Sequence, residues 1–498
     1  MEMQKVFDSL RKADIESAER HDMRDGFLME NAARGTAEKI KALIESGFCR
    51  THKPLIQIVC GSGDNGGDGL ALARMLADYA KLIVVQVKEP KSPLCKLQAK
   101  RLCSVGIEVA DTIAPVSDIL IDALIGTGLE TQLNEETIQI IEKMNAVKTA
   151  AGTDAYGIAI DMPSGLNMQG ILSPVCFQAE CTYSMGALKT AFYSDYAKDF
   201  VKRIECIDLG IPRSVYESAA EQSDRTAVLE PQDLCLPVRK KQNTYKTSYG
   251  HALFFCGEKE GACCLAASAA LHFGSGLVSL CGNKPVPLPF DFMFNEYALT
   301  QPLQAYSAIA LGSGLGEQYT ENALAFLQRE ELQNMPLVLD ADILHQPELV
   351  RLLPNFRKTV LTPHPKEFAS LLRSAGASDA DVQTVQENRF ALLRNLSKEF
   401  PQTVIILKGA NPLIAQNGTI MINPLGTNAL SKAGTGDVLA GLVTALLAQG
   451  LAPFEAAVQA SLAHATASRF AVSSYALTAT KLIELCAQLP ELIIKEAD

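Results

Sequence analysis

Short apolar runs of strand length recur through the first half of the chain, at LIQIVC (55–60), LIVVQV (82–87), DILIDAL (118–124) and GIAIDM (157–162). Stretches with helical spacing lie between them, such as GLALARMLADYA (69–80). Fully apolar strands separated by helices predict a mostly parallel sheet covered on both faces. Ahead of them, DGFLMENAARGTAEKIKALIESG (25–47) predicts an amphipathic helix that stops at Gly47. The second half alternates in the same way. HALFFCG, GLVSLCG, AIALGSG, PLVLDAD, TVLTPH and TVIILKG predict strands that end in Gly, His or Asp. Asn417-Gly418, between the two short apolar runs of LIAQNGTIMIN, predicts a two-residue hairpin turn. Residues 211–250 are polar, contain several prolines and carry Arg239-Lys240-Lys241. This segment reads as the connection between two domains, 1–220 and 225–498, with the basic run on a solvated surface. The halves share no glycine signature, which predicts two different folds rather than a duplication.

Composition narrows the class. Of 498 residues 48% are hydrophobic and 20% charged, which excludes a disordered or collagen-like chain. A formal charge of −11 leaves no global field for nucleic acid or an anionic membrane, so neither is an expected partner. The polar start MEMQKVFDSLRKADIESAER is not a signal peptide, and no apolar run reaches the ~18 residues of a membrane span. The 13 cysteines form no C-x-x-C pair, and several, including Cys60, Cys103, Cys256 and Cys264, sit in apolar segments. Reduced, buried thiols in a cytoplasmic protein are expected. The seven histidines are too scattered for a zinc site.

Candidate chemistry gathers at strand ends. After the strand 55–60 come Gly61-x-Gly63-x-x-Gly66 and then Asp64-Asn65-Gly66-Gly67-Asp68-Gly69. Glu89 stands roughly where a dinucleotide fold places its ribose-binding acid. Such glycines let backbone approach a ligand, and Asn65 and Asp68 add oxygens suited to ribose or a hard cation. Asp122 precedes Gly126-Thr127-Gly128, and Asp161 precedes Pro163-Ser164-Gly165. In a parallel sheet these loops converge beyond the carboxyl edge.

At that point the sequence resembles a known family. GSGDNGGDG, IDALIGTGL, AIDMPSGLNMQG and SMGALKTAFY, with LMENAA ahead of them, are similar to the YjeF N-terminal domain family of NAD(P)H-hydrate epimerases over roughly residues 10–212. The resemblance implies a Rossmann-like three-layer α/β/α domain. It also implies a dinucleotide site at Asp64, Asn65, Gly66, Gly67 and Asp68, the 126–132 loop with Gly126, Thr127 and Gly128, and Asp161. Asn65, Asp122 and Ser164 would hold K⁺, and Lys189 would lie near the reacting ring, acting with Asp161. Two departures stand out: Asp64 where the family usually has Asn, and Asn167 where Asp is usual.

In the second half, Gly434-Thr435-Gly436-Asp437 precedes the apolar helix VLAGLVTALLAQ. Free N–H groups at a helix start plus a glycine turn make an anion hole. A carboxylate beside that hole repels phosphate, so Asp437 reads as a base for a hydroxyl attacking a phosphoryl group. Lys408 ends a strand, His364 lies between two prolines, Gly312-Ser313-Gly314 follows another strand, and Asp340 and Asp342 end a further strand, either as supporting pieces of the site or as plain loop caps. G-T-G-D without a Walker A loop resembles the ribokinase-like superfamily. T-P-H-P-x-E-F, L-D-A-D, K-G-A-N and G-T-G-D-V-L-A-G resemble the YjeF C-terminal family of ADP- or ATP-dependent NAD(P)H-hydrate dehydratases, over roughly 230–495. That implies a ribokinase-like α/β domain binding ADP or ATP through Lys408, Gly409, Ala410, Asn411, Pro412, Gly434, Thr435 and Gly436. Gly314, His364 and Asp437 would face the hydrated nicotinamide. Cys263-Cys264 replaces the small or Met residues usual in the first crossover.

The two resemblances together imply a fused repair enzyme for NADHX and NADPHX, the hydrated cofactors, aided by K⁺ and Mg²⁺ and forming a homo-oligomer. Three alternatives stay open on the residues alone: a hydroxymethyl kinase in the second half, and a Rossmann dehydrogenase or a non-catalytic binding module in the first.

Overall fold

The computed structural model describes residues 4–20, 22–23, 25–49, 51–129, 132–149, 155–219 and 225–497. The chain divides into two compact units, Lys5–Asp224 and Arg225–Asp498.

In the first unit the strands are β1 (Gln4–Phe7), β2 (Leu55–Cys60), β3 (Lys81–Gln86), β4 (Val109–Ala110), β5 (Ile119–Ala123), β6 (Tyr156–Ile160), β7 (Cys181–Met185), β8 (Leu188–Lys189) and β9 (Arg203–Ile207). The sheet order is β4-β3-β2-β5-β6-β7-β9, parallel throughout. β1 pairs in parallel with β8. Alternate residues feed two separate cores. Ile56, Ile58, Ile119, Ile121 and Ile158 pack with the helices Asp25–Glu45, Asp64–Leu76 and Pro93–Ser104, whereas Val59, Leu120 and Ala159 pack with the helix Glu135–Thr149. The result is the three-layer arrangement that fully apolar strands require. The strand order reverses between β2 and β5, where a doubly wound sheet opens its ligand crevice.

The second unit contains β10 (Thr226–Val228), β11 (His251–Cys256), β12 (Leu277–Gly282), β13 (Met293–Phe294), β14 (Ala308–Leu311), β15 (Leu337–Leu339), β16 (Thr359–Leu361), β17 (Thr403–Leu407), β18 (Leu413–Gln416) and β19 (Thr419–Ile422). Their order is β13-β12-β11-β14-β15-β16-β17-β18-β19-β10. Pairing is parallel except at β17–β18 and β18–β19. The hairpin turn has both central residues at positive φ, Asn417 at 46° and Gly418 at 81°, as its Asn-Gly sequence dictates. The helix Thr435–Ala448 lies directly on Glu260–His272. A Cβ at Gly441 would come 2.2 Å from the Ala266 carbonyl.

One expectation is corrected, the burial of Cys103 and Cys264. The 211–250 segment does hold the boundary between the units and is ordered in parts: it contains the helix Arg213–Ala219 and the strand β10, which pairs with β19. Cys235 N–H also donates to Gln459 Oε1 at 2.7 Å, tying this stretch into the second unit. Cys103 is exposed, because it lies on the outer side of its helix, and Cys264 is only half-buried. Among the described residues no helix is long and apolar enough to cross a membrane.

Candidate functional sites

The first site forms where β2, β5 and β6 end. The helix after β2 begins at Asp64 with Gly63 at its N-cap, so residues 64–68 form its first turns rather than a loop. The glycines face inward. A Cβ at Gly61 would lie 1.9 Å from the Leu124 carbonyl, and one at Gly66 1.9 Å from the Gly61 carbonyl. Gly67 packs on Met29 and Cys95. Gly61 and Gly66 demand glycine because backbone meets backbone there, while a Cβ at Gly67 would press mainly on the Met29 side chain. Gln86, at the end of β3, donates to the Gly61 carbonyl at 2.7 Å, while Glu89 lies exposed beyond the strand. Nothing in this arrangement turns Glu89 toward the glycine turn.

Asp122 is wholly buried. Its carboxylate accepts from Ser164 N–H (2.7 Å), Ser164 Oγ (2.7 Å) and Leu124 N–H (3.0 Å). Burial pushes its carboxyl up to about 6, against the pull of those hydrogen bonds. Asn65 donates to the Ile160 carbonyl (3.2 Å) and accepts from Gly126 N–H (3.2 Å) in the amide orientation that satisfies both ends. Beyond β6, Asp161 sits at φ 65°, a left-handed conformation that costs a side-chain-bearing residue energy. The turn aims its carboxylate at Thr127 N–H (3.1 Å) and at Lys189 Nζ (2.8 Å). Lys189 is 1% exposed and also donates to Ser184 Oγ at 2.9 Å. Asp68 is half-buried, and burial first, then Asp161, Asp64 and Asp14, hold its carboxyl well above the ordinary range. Gly128 is exposed; residues 130 and 131 of the 126–132 loop lie outside the described residues.

The second site gathers the carboxyl ends of β14 to β17 under the start of the helix Thr435–Ala448. Gly434 is the N-cap, at φ 89°. A Cβ at Gly436 would meet only Lys408 Nζ, at 3.5 Å. The N–H groups at 436 and 437 have no intrahelical acceptor, so the turn opens an anion hole onto Lys408. Thr435 Oγ1 is turned away, donating to the carbonyls of Leu430 and Lys432. Asp437 is half-buried. Burial and then Asp340 push its carboxyl up to about 6, partly offset by a Ser313 hydrogen bond and Lys408. Burial opposes the charge on Lys408, yet Asp340 and Glu367 hold its ammonium above its usual value.

His364 caps the helix Pro365–Ser374. Its Nδ1 accepts from the N–H groups of Lys366 and Glu367 at 3.1 Å each, and its Nε2 lies 3.1 Å from Glu367 Oε1. Burial and then Lys408 lower its pKa, against the pull of Asp340. Gly314, at φ 65°, is buried against the Lys259 carbonyl. Gly409 and Ala410 are exposed after β17, Pro412 is half-buried and Asn411 is buried.

The loop-cap reading holds for Asp342, which accepts from Gly316 N–H at 2.9 Å, and fails for Asp340, which receives Lys408 and Thr362 instead. Glu367, which lies in the T-P-H-P-x-E-F motif but takes no role from sequence alone, and His464, which carries no local sequence signal, also belong to this neighbourhood. Burial lowers the His464 pKa to about 4, and its Nε2–H donates to the Thr435 carbonyl at 2.8 Å.

Comparison with known proteins adds to this geometry. Residues 26–191 match the family described as YjeF-related protein N-terminus, and residues 252–490 match the family described as NAD(P)H-hydrate dehydratase. A Helicobacter pylori protein named bifunctional NAD(P)H-hydrate repair enzyme Nnr is 37% identical over 501 residues, covering 98% of this chain and 100% of the relative. The Escherichia coli protein of the same name is 29% identical, covering 84% of this chain and 82% of that protein. A solved structure of the Bacillus subtilis ADP/ATP-dependent NAD(P)H-hydrate dehydratase, co-crystallised with ATP/Mg²⁺, is 27% identical with a TM-score of 0.45, covering 53% of this chain and 96% of that one.

Proposed function

The chain belongs to the bifunctional NAD(P)H-hydrate repair enzymes, and on that footing we propose how its two sites divide the work. The protein interconverts the epimers of hydrated NADH and NADPH and uses an adenine nucleotide to dehydrate them. We assign epimerisation to the first unit and dehydration to the second.

In the first unit the donors around Thr127 and the Asp161–Lys189 pair hold the hydrated ring while its C6 centre opens and recloses. Asp161 fixes the Lys189 ammonium, which is placed to steady the C6 oxygen. The group K⁺ fits here: Asp122 is a buried carboxylate paired with no Lys, Arg or His among the described residues, and its neighbours are hard oxygens. An uncompensated buried charge is costly. Asn65, Asp122 and Ser164 would hold the ion, which supplies a fixed positive charge beside the ligand.

In the second unit the C6 hydroxyl of the hydrate attacks the terminal phosphoryl group of ADP or ATP. Asp437 accepts the hydroxyl proton, and the nucleotide departs one phosphate shorter. The C6–O bond then breaks, inorganic phosphate leaves, and loss of a ring proton from C5 restores the double bond. Lys408 and the N–H groups at the Gly434–Gly436 turn neutralise the transferring group. A Mg²⁺ would arrive on the nucleotide phosphates, keep most of its waters and supply further positive charge.

The observation that carries the dehydratase assignment is Asp437 standing beside a glycine-opened helix start whose open side is Lys408. A second reading, a kinase, would release a stable phosphorylated product. Incubation with mixed hydrate epimers and ADP separates the two: we expect full recovery of 340 nm absorbance with stoichiometric inorganic phosphate. A stable phosphorylated product without absorbance recovery would refute the dehydratase. Asp161→Asn should confine rapid recovery to the S epimer.

A further inference from the structure

Asp340 occupies the N-cap position of the 3₁₀ turn Ala341–His345 but makes no capping hydrogen bond. Ala341 next to it is held at φ 53°, a strained conformation for a residue with a side chain. The turn leaves the Asp340 carboxylate aimed into the site, 3% exposed. One oxygen receives Lys408 Nζ at 3.0 Å and Thr362 Oγ1 at 2.6 Å. The other lies 3.5 Å from Ser313 Oγ, a long contact, and the single Ser313 proton can go to this carboxylate or to Asp437 but not to both at once. Lys408 reaches the second carboxylate, Glu367, only at 3.8 Å.

We propose that Asp340 is a positioning residue for phosphoryl transfer, fixing Lys408 under the helix start beside the carboxylate of Asp437. The inference rests on the reading of Asp437 as the base. Three strands contribute: β15 brings Asp340, β16 brings Thr362 and β17 brings Lys408. Removing the carboxylate lets the lysine follow Glu367 away from the anion hole. It also removes the like charge facing Asp437. The charged or titratable groups around this cluster are Asp340, Asp437, Lys408 and Glu367, with His364 and His464 flanking Lys408, His345 beside Glu367 and Lys366 beside His364.

The test uses the full chain with ADP and the S hydrate. Asp340→Asn should lower kcat on the order of 100-fold, the cost of a misplaced catalytic group, with KM for ADP changed only a few-fold. The acid limb of its rate profile should move to lower pH, because Asp437 loses its carboxylate neighbour. A folded Asp340→Asn protein with native kcat and an unmoved limb overturns the proposal. If that variant fails to fold, Thr362→Val decides. It keeps the carboxylate but removes its shortest donor, and should lower kcat about 5- to 10-fold at unchanged KM. Native kcat there overturns the proposal as well. A native protein that makes no NADH from hydrate and ADP, or an Asp437→Asn protein at full rate, would instead refute the functional reading beneath it.

Discussion

Two glycine-rich turns, one in each unit, follow different physical rules. In the first, Gly61 and Gly66 point into protein: missing side chains let strand end, loop and helix touch backbone to backbone. In the second, Gly434 supplies a left-handed cap, while the Cα of Gly436 faces open space bounded only by the Lys408 ammonium. The first turn builds a rigid floor on which Asn65, Asp122 and Asp161 are displayed. The second leaves its own backbone open, as the proposed phosphate grip requires. Charge follows the same division. Asp161 and Lys189 pair one to one, whereas a single Lys408 serves Asp340 and Glu367 beside a third carboxylate, Asp437.

The sharpest way to break this contrast is Gly66→Ala. Its new Cβ would sit 1.9 Å from a carbonyl oxygen, closer than any side chain tolerates. We expect the first unit to lose its folding transition in calorimetry and epimerase activity to vanish. A protein that melts natively would show that the turn is looser than described.

Next in size is Asp437→Asn. Loss of a general base should cost about 10²- to 10⁴-fold in dehydration rate, without a loss of stability. The carboxyl lies at about 6 in the folded chain, above the ordinary 3.8. Folding therefore disfavours its charged form, and the native protein loses stability as pH rises through that range. The melting temperature of the variant relative to the native protein should grow between roughly pH 4 and 7 and stay flat above. The dehydration rate of the native free enzyme should fall as pH drops below about 6 for the same reason.

Gly436→Ala should show the opposite of Gly66→Ala. Its Cβ makes only an ordinary contact, so melting should be unchanged while ADP binds about 10-fold more weakly, a loss of roughly 1.4 kcal/mol. The smallest effect concerns the ion. Added K⁺ should raise the melting temperature of the first unit by a few degrees, and Asp122→Asn should abolish the rise.

The sequence made the strands legible because both faces of a parallel sheet are buried, so apolar runs at 55–60 and 403–407 could hardly be anything else. It also made Asp161, Lys408 and Asp437 candidates, since strand ends and helix starts are where such sheets bind ligands. It could not show which way a glycine's missing side chain would point, and so Gly66 and Gly436 read alike. Nor could it separate Asp340 from Asp342. Both follow the same strand two residues apart, and only the convergence of three strand ends gives one of them Lys408 and leaves the other a backbone cap. His464 is further out of reach, on a helix whose spacing gives no hint that its ring meets the Thr435 carbonyl.

In the proposed dehydratase the Gly434–Gly436 turn grips nucleotide phosphate with a base stationed alongside. A crystal structure with an ADP analogue and Mg²⁺ tests it most directly. We predict the terminal phosphate within hydrogen-bond distance of Gly436 N–H and Lys408 Nζ, with Asp437 open to a neighbouring hydroxyl. Phosphates seated away from that turn would contradict the account.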